Sequence, residues 1–146
     1  MAPAFAPVDR RKHLDGLRAS LRADVRSMRA VQVRAGRTLL EIRRAGDPLF
    51  FAATTFPIFC ESAGLSPAEA RDLTAMAEAA EAWPQVAARV LAARITPQKA
   101  AVVQQLLRSP ELQRPGEDVL GLVESLCARD LIREVKRRKE QARLGE

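Results

Sequence analysis

A glycine and a proline three residues apart constrain the middle of this chain more than any other feature. Phe56-Pro57-Ile58-Phe59-Cys60-Glu61-Ser62-Ala63 reads as a short apolar helix. Gly64 can adopt the left-handed conformation that closes it. Ser66 then caps a second helix, with Pro67 at its first position and Glu69 completing a capping box. Two helices joined by so short a glycine turn are the grammar of a helix-turn-helix. The apolar spacing agrees: Cys60 is small where the helices would touch, and Phe59, Ala63, Leu65, Ala70 and Leu73 fall on the inward side. A purely structural helical hairpin has the same needs, so the pattern leaves the use of the pair open.

The rest of the chain repeats this punctuation. Trp83-Pro84 opens a helix to about Ala93, with Trp83 as a core anchor. Thr96-Pro97 caps one that runs to Arg108. Ser109 to Gly116 is a loop, Glu117 to Leu126 a helix, and a break near Cys127-Ala128 precedes a last helix with a basic end. No segment alternates with the period of a strand. The class is therefore all-α, with six to seven helices around a central helix-turn-helix. No apolar run reaches the roughly 18 residues of a membrane span. Met1 to Val8 lacks the pattern of a signal peptide. The expected location is cytoplasmic, with no membrane partner. Cys60 and Cys127 both read as buried free thiols.

Upstream of the pair lies a long amphipathic segment. Residues 1–8 read as disordered, 9–46 as a basic helix capped by Asp9, and 47–146 as the helical domain that holds the helix-turn-helix. Leu14, Leu21, Met28, Ala35 and Ile42 recur every seven residues, and Leu17, Val25, Val31 and Leu39 fill the neighbouring seam. An unbroken helix of that length spans roughly 55 Å, while a domain of this size has a radius of gyration of about 15 Å. The helix must project, pair with a second copy, or break, and Gly36 is the expected break. The stripe Leu14, Leu17, Leu21, Val25, Met28 and Val31 is the candidate dimer seam. After it, Leu49 to Phe51 should plug the core beneath the helix-turn-helix.

Charge is divided along the chain. The formal net charge is +6. Residues 1–46 carry eleven basic against four acidic side chains, 47–92 two against six, and 131–146 six against three. Basic ends fit a polyanion partner, although basic residues also suit a helix C-terminus through the macrodipole. Catalytic, cofactor and metal sites have no candidates. His13 is the single histidine and lies in a basic stretch, and the seven glycines form no phosphate loop.

From Leu65 onward the order of features resembles the DNA-binding domain of the ParB/KorB partition family. The matching stretches are Leu65-Ser66-Pro67-Ala68-Glu69-Ala70, Ala93-Arg94-Ile95-Thr96-Pro97-Gln98-Lys99-Ala100 and Ala128-Arg129-Asp130-Leu131. With Leu39-Leu40-Glu41-Ile42-Arg43-Arg44 and the Phe56 to Glu61 segment, the order also resembles the helical region that precedes HNH nuclease domains in bacterial proteins. The resemblance covers roughly Arg37 to Lys139. It lacks the partition family's arginine-rich box and the nuclease's His-Asn-His residues, so no cleavage activity carries over. It implies a bacterial DNA-binding protein, which the missing catalytic residues make non-enzymatic and the apolar seam above makes a homodimer. Bases would be read from the helix after Gly64 by Arg71, with Ser66 and Thr74 as lesser donors. Phosphates would be held by the basic N-terminal helix and by Arg133, Lys136, Arg137, Arg138 and Lys139. Two alternatives stand beside it: a helical protein-interaction adaptor, or the accessory region of an HNH-type nuclease.

Overall fold

The computed structural model describes residues 7–46 and 55–145. Among these the chain forms seven α-helices, one short 3-10 turn and no strand. The helices are α1 (Pro7–Ala45), α2 (Phe56–Ser62), α3 (Pro67–Ala82), α4 (Pro84–Leu91), α5 (Pro97–Arg108), α6 (Val119–Ser125) and α7 (Ala128–Leu144), with the 3-10 turn at Pro110–Leu112. None is long and apolar enough to cross a membrane. The expected core plug, Leu49 to Phe51, lies outside the described residues.

The central junction forms as its residues dictate. Gly64 sits at φ +95°. Leu65 N–H donates to Cys60 O and Gly64 N–H to Glu61 O, both at 3.0 Å, the paired bonds of a Schellman close. Glu69 N–H donates to Ser66 Oγ at 3.1 Å and Ser66 N–H to Glu69 Oε1 at 3.2 Å, so the capping box is complete. Thr96 caps α5 in the same way, its hydroxyl accepting from Lys99 N–H at 3.2 Å.

The hub is α3. It packs against α1, α2, α4 and α5 and buries Ala70, Leu73, Met76, Ala77 and Ala79. Around it, Val86, Val90, Ile95, Ala100, Val103, Leu106, Val123 and Leu131 close the core, with Trp83 half-buried against it. Glu78 ties three helices together: it accepts from Arg43 of α1 and from Gln104 of α5 at 2.7 Å, with Arg108 at 3.9 Å. Burial pushes the Glu78 carboxyl up, but the bonds from Arg43 and Gln104 outweigh it and hold the group below its usual range.

Four expectations about the elements need correction. First, α1 does not break at Gly36, and it begins at Pro7, two residues before Asp9, so residues 7 and 8 are helical. Gly36 is buried, and a Cβ there would lie 2.6 Å from the Leu73 carbonyl oxygen. The missing side chain lets α1 and α3 come together; it is a contact and not a breaker. Second, α4 stops at Leu91 because Ala93 takes φ 58°. Third, α6 starts at Val119, not Glu117. Asp118 caps it through Gly121 N–H at 3.1 Å, and the Glu117 carboxylate is held by Arg138. Fourth, Cys60 is buried but Cys127 is exposed, at the N-cap of α7.

The helix α1 has two parts. Val33, Gly36, Leu39 and Leu40 belong to the core. Every residue from 7 to 24 is exposed, a projecting arm of about 27 Å at 1.5 Å per residue.

Candidate nucleic-acid interface

Of the eight side chains expected to touch DNA, seven fall into three groups and Arg71 stands between them. Thr74 and Arg138 are buried, which removes them from any surface. Thr74 is 3% exposed. It lies one turn beyond Ala70, on the side of α3 that faces the core, and its hydroxyl donates to the Ala70 carbonyl. The face of α3 that is left to solvent carries Ala68, Glu69 and Arg71, with Asp72 half-buried beside them.

Arg138 is 5% exposed. Its guanidinium forks onto Glu117, with Nη1 donating to Oε2 at 2.7 Å and Nη2 to Oε1. Nη1 also donates to Leu112 O and Nε to Glu134 Oε1, both at 3.0 Å. Planar, five-donor arginine suits such a buried fork better than lysine does. This clamp fastens the 109–118 loop to α7. Hydrogen bonds from Arg137 and Arg138 hold the Glu134 carboxyl at about 2. The bond from Arg138 holds Glu117 below its usual range, and the Arg138 pKa is raised in return.

A second group is exposed but engaged. Arg137 donates to Glu134 through Nε at 3.1 Å. Lys139 Nζ donates to Gln105 Oε1 at 2.6 Å. The Ser66 oxygen is taken by the capping box. Surface pairs of this kind are worth little and exchange readily, so Arg137 and Lys139 keep some capacity for a phosphate.

The third group is exposed and free of ion pairs among the described residues. Arg133 and Lys136 belong to it. Sequence reasoning missed two companions, Arg129 and Arg143. At 100° per residue, positions 129, 133, 136 and 143 share one solvent face of α7, opposite buried Leu131, Val135 and Arg138. The helical spacing of these residues was the available signal. Arg71 stands between the groups: its side chain is 75% exposed, and its Nε lies 3.9 Å from Asp72 Oδ1. Burial raises the Asp72 carboxyl, and Arg71 partly offsets this.

The same sorting applies to the whole molecule. Arg43, Arg44, Arg89, Arg94, Arg108, Arg114, Arg137 and Arg138 face acidic partners within the body. Arg10, Arg11, Lys12, Arg18 and Arg22 on the arm, and Arg26 just beyond it, are exposed without an ion pair among the described residues. Further along α1, Arg34 and Arg37 are likewise exposed without an ion pair among the described residues, so the unmatched positive charge lies mainly on two helices, along α1 and on the outer side of α7.

The expected seam runs from the arm into the next two turns of α1. Leu14, Leu17, Leu21, Met28 and Val31 are all exposed, Leu21 by 64%, while Val25 is half-buried. Among the described residues no cluster of three or more His, Cys, Asp or Glu could hold a metal. Burial pushes the Cys60 thiol up, away from the thiolate a nucleophile needs. No protein-family model, curated protein or solved structure matches this chain.

Proposed function

We propose that the protein is a non-enzymatic, DNA-associated helical protein that self-associates through its arm and holds nucleic acid mainly by phosphate contacts. The observation that carries this reading is the concentration of unpaired cations along α1 and on the Arg129, Arg133, Lys136 and Arg143 face of α7. A phosphate backbone is the polyanion such linear arrays suit. Base reading is confined to Arg71, because Thr74 is internal and the rest of the exposed α3 face is acidic or small. The reading therefore keeps the DNA-binding function expected from the resemblance to ParB-like domains but moves its weight away from the helix-turn-helix.

A second reading, the protein-interaction adaptor, draws on a separate observation. Nucleic acid does not cover an apolar stripe, and the arm exposes one along its whole length. The two readings separate in one titration of the protein against random and mixed-sequence DNA at several salt concentrations. Arg133→Ala with Lys136→Ala should weaken binding to all sequences alike and flatten the salt dependence by roughly 0.9 units of slope per lost contact. Arg71→Ala should cost about 1–3 kcal/mol only where a preferred sequence exists. Absence of binding near physiological salt would overturn the DNA reading and leave the adaptor.

A further inference from the structure

The apolar stripe of the arm has a symmetry that its heptad description conceals. Leu14 and Leu17 lie seven and four residues before Leu21; Val25 and Met28 lie four and seven residues after it. The spacing reads the same in both directions. A two-fold axis through Leu21 would therefore pair five of the six members with an apolar residue of an antiparallel second copy: Leu14 with Met28, Leu17 with Val25, and Leu21 with itself, leaving Val31 at the end of the seam. A parallel, in-register pair would do worse. It would place Asp24 against Asp24 within the seam and leave Val25 outside it.

The body leaves room for this partner and supplies a counter-charge. At 100° per residue the stripe is turned by roughly 70° from the face of α1 that meets the core. An incoming helix can thus lie beside the body, not run into it. In the same register Arg10 falls opposite Gln32 and Arg11 opposite Val31. That is where an open crevice of about 250 Å³ runs between Arg29, Gln32, Glu69, Asp72 and Thr96. The basic tip of one arm would meet the acidic start of α3 in the other copy. The opposed directions of the two helices also set their macrodipoles favourably.

We propose that the occupant of the stripe is a second copy of this chain, bound antiparallel about Leu21, with its Arg10-Arg11 tip against Glu69 and Asp72. This rests on the self-association in the reading above and is independent of whether DNA binds. It sets the two bodies at opposite ends of the paired arms, their Gly36 contacts about 45 Å apart.

Cysteine cross-linking of the full chain tests it, with exposed Cys127 replaced by serine and two tags of different size. The wild type should sediment as a dimer at tens of micromolar. Leu14→Cys mixed with Met28→Cys should give a disulfide-linked pair on oxidation, and neither should link to itself. In the antiparallel pair the two Leu14 positions are about 21 Å apart, far beyond the roughly 7 Å limit of a disulfide. Leu21→Glu should shift the protein to a folded monomer whose unfolding midpoint no longer rises with protein concentration. Arg10→Glu with Arg11→Glu should weaken the dimer, and adding Glu69→Arg with Asp72→Arg should restore it. Self-linkage of Leu14→Cys would overturn the antiparallel arrangement. A monomeric wild type would overturn the second copy, and Leu21-dependent binding of that monomer to anionic vesicles would assign the stripe to a lipid surface.

Discussion

Two stretches of a single helix, the arm at residues 7–24 and the buried end at 33–40, follow opposite rules. In the buried end the inward side chains are chosen for their fit: Val33, Leu39 and Leu40 fill the core, and Gly36 admits the backbone of α3. In the arm every residue is exposed to solvent, and residues are free to be cationic on one side and apolar on another. The difference teaches that helical periodicity reports a face and not its partner. The core face and the stripe have the same spacing, yet one is closed within the chain and the other is open.

The sharpest way to break this comparison lies in the body. Arg138→Leu should destabilise the fold by about 3–5 kcal/mol, because it leaves Glu117 partly buried without its partner. Chemical denaturation should register the whole loss. A wild-type-like midpoint would mean that the clamp is dispensable. Acid attacks the same contact more gradually. Glu134 titrates at about 2 against an ordinary 4.5. A lowered carboxyl stabilises the fold fully above the unfolded value and loses that contribution as pH falls toward the folded one. Stability should therefore drop between about pH 4.5 and 2, and Glu134→Gln should flatten that drop.

Next comes a pair of glycines in the same helix. Gly36→Ala should destabilise by about 1–3 kcal/mol, because the new methyl meets the Leu73 carbonyl, which is backbone and cannot swing away. Gly16 has nothing within 4 Å of a Cβ. Gly16→Ala should stabilise the arm helix by up to about 1 kcal/mol, read as increased far-UV helical signal on heating. Equal signs for the two substitutions would dissolve the distinction between arm and body.

Much of the fold is legible in the sequence, and the reason is local. Gly64, Ser66-Pro67 and Thr96-Pro97 act within a few residues of themselves, so their caps and turns form as the residue types require. What the sequence hides is what depends on the third dimension. Gly36 reads as a breaker because helix propensity knows nothing of α3. Thr74 reads as exposed because the count of faces on α3 omits how many helices surround it. Arg138 and its neighbours Arg133 and Lys136 are chemically alike in the sequence, yet one is internal and two are at the surface. The deciding residue, Glu117, lies twenty-one positions away from Arg138. Spacing along α7 does distinguish them once its buried face is fixed by Leu131 and Val135.

Because α1 is continuous through Gly36, the arm and the body share one screw axis and their relative phase is set by residue count. A single residue inserted between Met28 and Val33 would turn the stripe by about 100° relative to the core face. Seven inserted residues would return it to within about 20° while lengthening the arm by about 10 Å. The uninterrupted helix therefore acts as a gauge, fixing both the azimuth and the reach of whatever the arm holds.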